Sequence, residues 1–122
     1  MASNDYHVVV YQILEYLYTC LRDGAIPDIE ALEKFRESKG LNKRYWRYIL
    51  LHLLEDDFIE GAIAVPIAGE DFPNIKYSRR FAITPKGIGY LAENSLMTKL
   101  RTMAEQGMVS TITSFASHLA GL

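Results

Sequence analysis

The clearest chemical signal in this sequence comes from basic side chains clustered in two short stretches. Residues 34–47 contain six Lys or Arg and one acid, Glu37, for a net charge of +5. Residues 76–86 contain four Lys or Arg and no acid, for a net charge of +4. Clustered cationic groups bind phosphates, and Arg also recognises base edges through paired hydrogen bonds. The two stretches therefore predict a nucleic-acid surface.

The residue types that usually support catalysis lack the spacing that catalysis requires. Three isolated histidines have no second His or Cys at metal-ligand spacing: His7, His52 and His118. Cys20 has apolar neighbours and is expected to pack rather than react. The acids at residues 55–57 and 70–71 are expected to be solvated, and no phosphate-loop or dinucleotide motif occurs. We therefore expect no enzyme activity, no cofactor and no metal site.

Apolar periodicity predicts three helices in the first half of the chain, over residues 5–22, 29–39 and 43–56. Asp28 and Asn42 are suited to cap the second and third helices, and only residues 38–41 connect the two. Gln12 falls off the apolar face of the first helix. The residues expected to face the core are Val10, Ile13, Leu14, Leu17 and Leu21 in the first helix, Ile29, Leu32 and Phe35 in the second, and Trp46, Ile49, Leu50 and Leu53 in the third.

The period then changes to that of a β-hairpin. Residues 59–67 alternate, with Ile63 on the same face as Ile59, and residues 75–83 form the returning strand after a loop. Thr84 and Pro85 predict a helix start, because the hydroxyl caps free N–H groups and proline suits the first helical position. The short helix that follows ends near residue 93, and residues 95–122 have helical spacing that Gly107 is expected to bend or divide.

This order of elements predicts an α+β fold, a winged helix-turn-helix with a three-helix core, a β-hairpin wing and additional C-terminal helices. Residues 1–94 would form the winged helix-turn-helix domain and residues 95–122 a C-terminal helical extension. Within that extension, residues 110–122 are rich in small residues and are a candidate dimerisation element. The alternative is that this segment folds back on the first helix of its own chain.

The third helix carries its charges against the helix dipole. Lys43, Arg44 and Arg47 lie near its start and acids lie at its end, whereas stability favours the opposite arrangement. Basic groups beside free N–H groups form a good phosphate site. Together with the wing, this gives the following candidate DNA-binding residues: Lys39, Asn42, Lys43, Arg44, Arg47, Tyr48, Lys76, Arg79 and Arg80.

A family resemblance points to the same fold. The pattern Ile83-Thr84-x-x-Gly87-x-x-Tyr90-Leu91 is like the end of the wing in many winged-helix regulators. The longer run through Tyr90-Leu91-Ala92-Glu93-Asn94-Ser95 resembles the YjcQ family of small bacterial and phage-encoded proteins. That resemblance implies a winged helix and a prophage-like context. It implies no enzyme activity and supplies no binding residues.

The formal charge of −2 does not exclude nucleic acid, because it averages two basic stretches with a remainder of −11. We therefore expect a duplex-DNA binder and transcriptional regulator. A single cysteine and no apolar run of membrane-spanning length favour the cytoplasm and no membrane partner. The alternative is a protein-interaction or phage-assembly module that does not bind DNA. A third possibility, RNA or single-strand binding, would need aromatics among the basic residues, as Tyr45, Tyr48 and Tyr77 suggest.

Overall fold

The computed structural model describes residues 5–112, which form five helices and one two-stranded antiparallel sheet. The elements are α1 (Asp5–Asp23), α2 (Ile29–Ser38), α3 (Lys43–Glu55), β1 (Ile59–Val65), β2 (Asn74–Ile83), α4 (Pro85–Glu93) and α5 (Ser95–Glu105). The predicted α+β class is thus confirmed, in an arrangement compatible with a winged helix. Over this range, no helix combines the length and the apolar character needed to cross a bilayer.

Side-chain caps set the starts of α2 and α3 where the sequence predicts them. An Asp28 carboxylate oxygen accepts hydrogen bonds from the backbone N–H groups of Glu30 and Ala31, at 3.0 and 3.3 Å. Asn42 Oδ1 accepts one from the Tyr45 N–H at 2.8 Å. Each cap satisfies N–H groups that have no partner within the helix. The Asn42 cap therefore fixes the α3 end of the short link between α2 and α3.

The core surrounds α1, which packs against β2, α4 and α5. These neighbours lie on several sides of α1, so more of its surface is buried than the single face that the sequence predicts. Gln12, which the sequence places off that face, is fully buried. Two predicted core positions are wrong. Leu21 is 49% exposed because the last three residues of α1 all face solvent, and Ile29, at the first turn of α2, is 39% exposed. The predicted core side of α3 is buried throughout.

A large bulge interrupts the hairpin. Glu60 pairs with Ala82 and Ala62 pairs with Tyr77, so residues 78–81 of β2 lie opposite Gly61 alone. The Ser78 hydroxyl closes this bulge by donating to the Gly61 carbonyl at 2.9 Å and accepting from the Arg80 N–H at 3.1 Å. The bulge also ends the predicted alternation in β1, and Ile63 is 64% exposed rather than on the face of Ile59.

Thr84 ties the end of the hairpin to the start of α4. Its hydroxyl accepts from the Gly87 N–H at 2.9 Å and donates to the carbonyl of Asp57, a residue held at φ +61° in the turn before β1. Pro85 occupies the first turn of α4, as predicted. One buried hydroxyl thus satisfies a helix start and a turn together.

Thr84→Ala is expected to lower the free energy of unfolding by about 1–2 kcal/mol, because it removes a cap and leaves the Asp57 carbonyl without this donor. Urea denaturation measures the loss. Thr84→Ser keeps the hydroxyl and is expected to recover most of it. A similar loss in both variants would mean that the methyl group, and not the hydroxyl, stabilises this junction.

The chain after α5 returns to α1. Gly107, at φ +77°, lies just after the end of α5, at the point where the sequence predicts that the helical segment bends or divides. The buried Gln12 side chain donates from Nε2 to the Ser110 carbonyl at 2.8 Å and to the Ser110 hydroxyl at 3.1 Å, and Ile112 joins the core. Residues 108–112 thus fold onto the first helix of their own chain. Most of the candidate dimerisation element, like His118, lies outside the described residues.

Candidate nucleic-acid interface

The start of α3 presents basic side chains beside a capped helix terminus. Lys43 and Arg44 are exposed in the first turn. Asn42, another candidate contact, uses its side-chain oxygen for the cap, so its amide nitrogen is the group left for a ligand. Lys39 is exposed in the preceding link and places its ammonium 6.0 Å from the centre of the Phe35 ring. These groups form one basic edge at the α2–α3 junction.

The loop between the strands, residues 66–73, lies against α3 and contacts two of the predicted DNA-binding arginines. Arg44 forms an ion pair with Asp71 at 2.9 Å, and its guanidinium lies 4.8 Å from the centre of the Phe72 ring. Arg47 lies 3.7 Å from a carboxylate oxygen of Glu70. Both acids are exposed, as expected, and each carboxylate also faces a cation of α3.

Aromatic contacts hold the same loop on α3. The Phe72 ring meets the Tyr48 ring edge-on at 5.3 Å. Tyr48 also contacts His52, with ring centres 4.3 Å apart, and Tyr6 of α1 at 6.3 Å. Tyr48 remains partly exposed, but its ring is the centre of an aromatic cluster. This intramolecular packing accounts for an aromatic residue on the outer side of α3.

The remaining candidate residues lie on the hairpin and are exposed. Lys76 pairs with Ile63 and alternates with the buried Ile75, so it lies on the hairpin face that points away from the core. Arg79 and Arg80 occupy the bulge. Among described residues, five candidate cations form no ion pair: Lys39, Lys43, Lys76, Arg79 and Arg80.

One basic residue of the first stretch has a structural role. Arg36 is buried and contacts the Glu33 carboxylate at 2.6 Å, while donating to the Leu41 carbonyl at 2.7 Å. The hydrogen bond from Arg36 lowers the pKa of Glu33 below its usual range. Arg36 therefore fixes the α2–α3 link and is unavailable to a nucleic acid.

A cavity of about 360 Å³ lies between α2, α3 and the hairpin. The sequence pattern does not predict it. Leu32, Trp46, Leu50 and Ile75 contribute apolar lining, and Lys43 and Arg47 are among its polar lining groups. Burial and the nearby Glu33 carboxylate raise the pKa of Tyr77, also in this lining, to about 12, although the Trp46 indole opposes the shift. No local sequence pattern signals such a cavity, because its residues come from three separate elements.

Cys20 is buried in the core, and burial raises the pKa of its thiol. Since the thiolate is the reactive form, this position disfavours nucleophilic chemistry at Cys20.

Over the described residues, the protein is of the α+β class, with five helices, a β-hairpin and exposed basic side chains on the α2–α3 junction and the hairpin. Residues 11–106 match the family model described as YjcQ protein. This match covers most of the chain, so the chain belongs to the YjcQ family. The comparisons with curated proteins and with solved structures gave no match.

Proposed function

We propose that this protein is a winged-helix DNA-binding protein that contacts duplex DNA through α3 and the hairpin. The observation that carries the proposal is the group of exposed cations without an acidic partner among the described residues, on the α2–α3 junction and the hairpin. Exposed unpaired cations neutralise backbone phosphates and release counterions, which supplies most of the affinity of non-specific binding. Regulation of transcription in a prophage-like, cytoplasmic context is the role we infer for it.

In this proposal, the residues divide into two groups. The first group binds phosphates directly, because each member is exposed and unpaired: Lys39, Lys43, Lys76, Arg79 and Arg80. Arg44 and Arg47 engage DNA only after residues 66–73 release them, since Asp71 and Glu70 now face their guanidinium groups. Surface ion pairs contribute at most about 1 kcal/mol, so a polyanion can displace these carboxylates.

The test is the binding of a fluorescent duplex of random sequence, measured by anisotropy at about 50 and 200 mM salt. The wild-type chain is expected to bind at low salt and to lose affinity steeply at high salt. Arg79→Ala/Arg80→Ala is expected to weaken binding about tenfold and to lower the salt slope by about 2. Both side chains are exposed, so the fold is expected to persist.

Lys99→Ala/Arg101→Ala on α5 is the matched control, because it removes two exposed cations far along the chain from the hairpin. It is expected to change the affinity by less than about twofold. No binding at low salt would contradict the proposal and favour the protein-interaction alternative. An equal loss in both double variants would also contradict it, because binding would then follow net charge and not this surface.

A further inference from the structure

We propose that the cavity between α2, α3 and the hairpin binds a small amphipathic anion, with an apolar body and a carboxylate or phosphate head. This site shares Lys43 and Arg47 with the proposed DNA contact, but its test uses small anions and Trp46 fluorescence, so either proposal can fail without the other. The cavity volume of about 360 Å³ lies in the range of small-molecule sites, and its walls come from α2, α3 and the hairpin, including Ile67 of the loop between the strands.

The apolar part of the lining suits a hydrocarbon or aromatic body. Leu32 from α2, Trp46 and Leu50 from α3 and Ile75 from β2 border the space, and all four are buried. Their side chains are fixed by the core that they share. A ligand body placed against them would remove apolar surface from water, which favours binding in proportion to the area removed.

The charged part of the lining selects an anion. Glu33 and Arg36 neutralise each other at 2.6 Å, and the low pKa of Glu33 keeps that pair ionised. Lys43 and Arg47 add two positive charges to the lining, and the Glu70 carboxylate, 3.7 Å from Arg47, offsets part of that charge. An anionic head therefore meets two cations, whereas a cationic ligand would be repelled.

Arg47 is a lining residue whose hydrogen-bond donors have no acceptor among the described residues. Its side chain is only 18% exposed, and its nearest carboxylate, on Glu70, lies at 3.7 Å, beyond hydrogen-bond distance. Within the described chain, its guanidinium donates no hydrogen bond. A guanidinium whose donors no protein group uses is a strong binding group for a carboxylate or phosphate, since such bonds are charge-assisted.

Trp46 provides a direct measurement, because it is the only tryptophan of the chain and it lines the cavity. Its fluorescence is followed during titration with hexanoate, with neutral hexanamide, with acetate and with hexyl phosphate. Hexanoate or hexyl phosphate is expected to shift the emission saturably. Hexanamide lacks the charge and acetate lacks the body, so each is expected to bind at least about tenfold more weakly. The tighter of the two anions identifies the head group as carboxylate or phosphate.

Lys43→Gln/Arg47→Gln is expected to weaken hexanoate binding about tenfold, because it removes both cations at the cavity. Lys99→Gln/Arg101→Gln removes two exposed cations on α5, outside the lining, and is expected to leave binding unchanged. Lys43→Gln alone changes an exposed residue and keeps the test valid if the Arg47 change disturbs folding, which thermal unfolding would reveal.

Three results would overturn the site. The first is no change in Trp46 emission with either amphipathic anion up to about 20 mM, a concentration above that of useful small-ligand affinities. The second is equal affinity for hexanoate and hexanamide. The third is undiminished binding by folded variants that lack Lys43, or both cations.

Discussion

Gly61→Ala is expected to lower the free energy of unfolding by about 2–5 kcal/mol, the largest effect predicted for a single methyl group in this chain. Gly61 has φ +76°, a conformation that costs an L-residue about 1–2 kcal/mol. A Cβ atom at this position would also overlap the carbonyl carbon and oxygen of Arg80 and the backbone nitrogen of Phe81. Backbone atoms cannot move aside as a flexible side chain can, so the bulge itself would have to shift.

Gly69→Ala is the matched control. Gly69 has φ +83°, but a Cβ there meets no atom within 4 Å. This variant therefore measures the cost of the backbone conformation alone, about 1–2 kcal/mol. Urea denaturation of both variants gives the difference, which is the cost of the close approach between Gly61 and β2. Equal losses would mean that β2 yields to the methyl group and that the bulge is not held as tightly as its hydrogen bonds indicate.

Local patterns predict the helices of this protein well. The caps at Asp28, Asn42 and Thr84 were each predicted from residue type, and each side chain makes the expected hydrogen bond. Capping depends on residues two or three positions away, so a short stretch of sequence contains all the information. The same reasoning explains why the buried side of α3 was correct, since helical periodicity alone determines it.

The bulge in β2 was not predicted, although the sequence held a signal for it. In an unbroken strand, Arg79 would share a face with Tyr77 and Phe81, which places a charge among apolar residues. The structure resolves this conflict by lifting residues 78–81 out of the regular pairing, with Phe81 buried and Arg79 exposed. A charge that falls on an apolar strand face is therefore evidence for a bulge.

The packing of the hairpin loop on α3 is beyond local reasoning. Asp71 and Arg44 are 27 positions apart, and nothing in either neighbourhood specifies the partner. The basic stretch of α3 was identified correctly as a cluster of charge. What the charge pattern did not reveal is that two of its arginines face carboxylates of the same chain. Counting charges along the sequence locates the basic stretch, whereas the loop at residues 66–73 determines which of its cations face a carboxylate.

Glu70→Gln/Asp71→Asn is expected to raise the affinity for duplex DNA about five- to tenfold at low salt, which corresponds to roughly 1–1.4 kcal/mol. The change removes two negative charges that would face the phosphates, and it frees Arg44 and Arg47 to bind them. The stability cost is expected to be below about 1 kcal/mol, because both acids are substantially exposed. Anisotropy titrations at two salt concentrations measure the gain, and the salt slope is expected to increase.

Two further variants separate release of the loop from a general change in charge. Asp23→Asn/Glu105→Gln removes two exposed acids outside the hairpin and is expected to raise affinity by less than about twofold. Phe72→Ala changes no charge but removes the ring that contacts Tyr48 and Arg44, so it is expected to weaken the hold of the loop and also to raise affinity. An unchanged affinity in Phe72→Ala, with equal gains in the two acid variants, would show that the loop does not cover the binding surface. A gain confined to the loop variants would make residues 66–73 an intramolecular competitor of DNA.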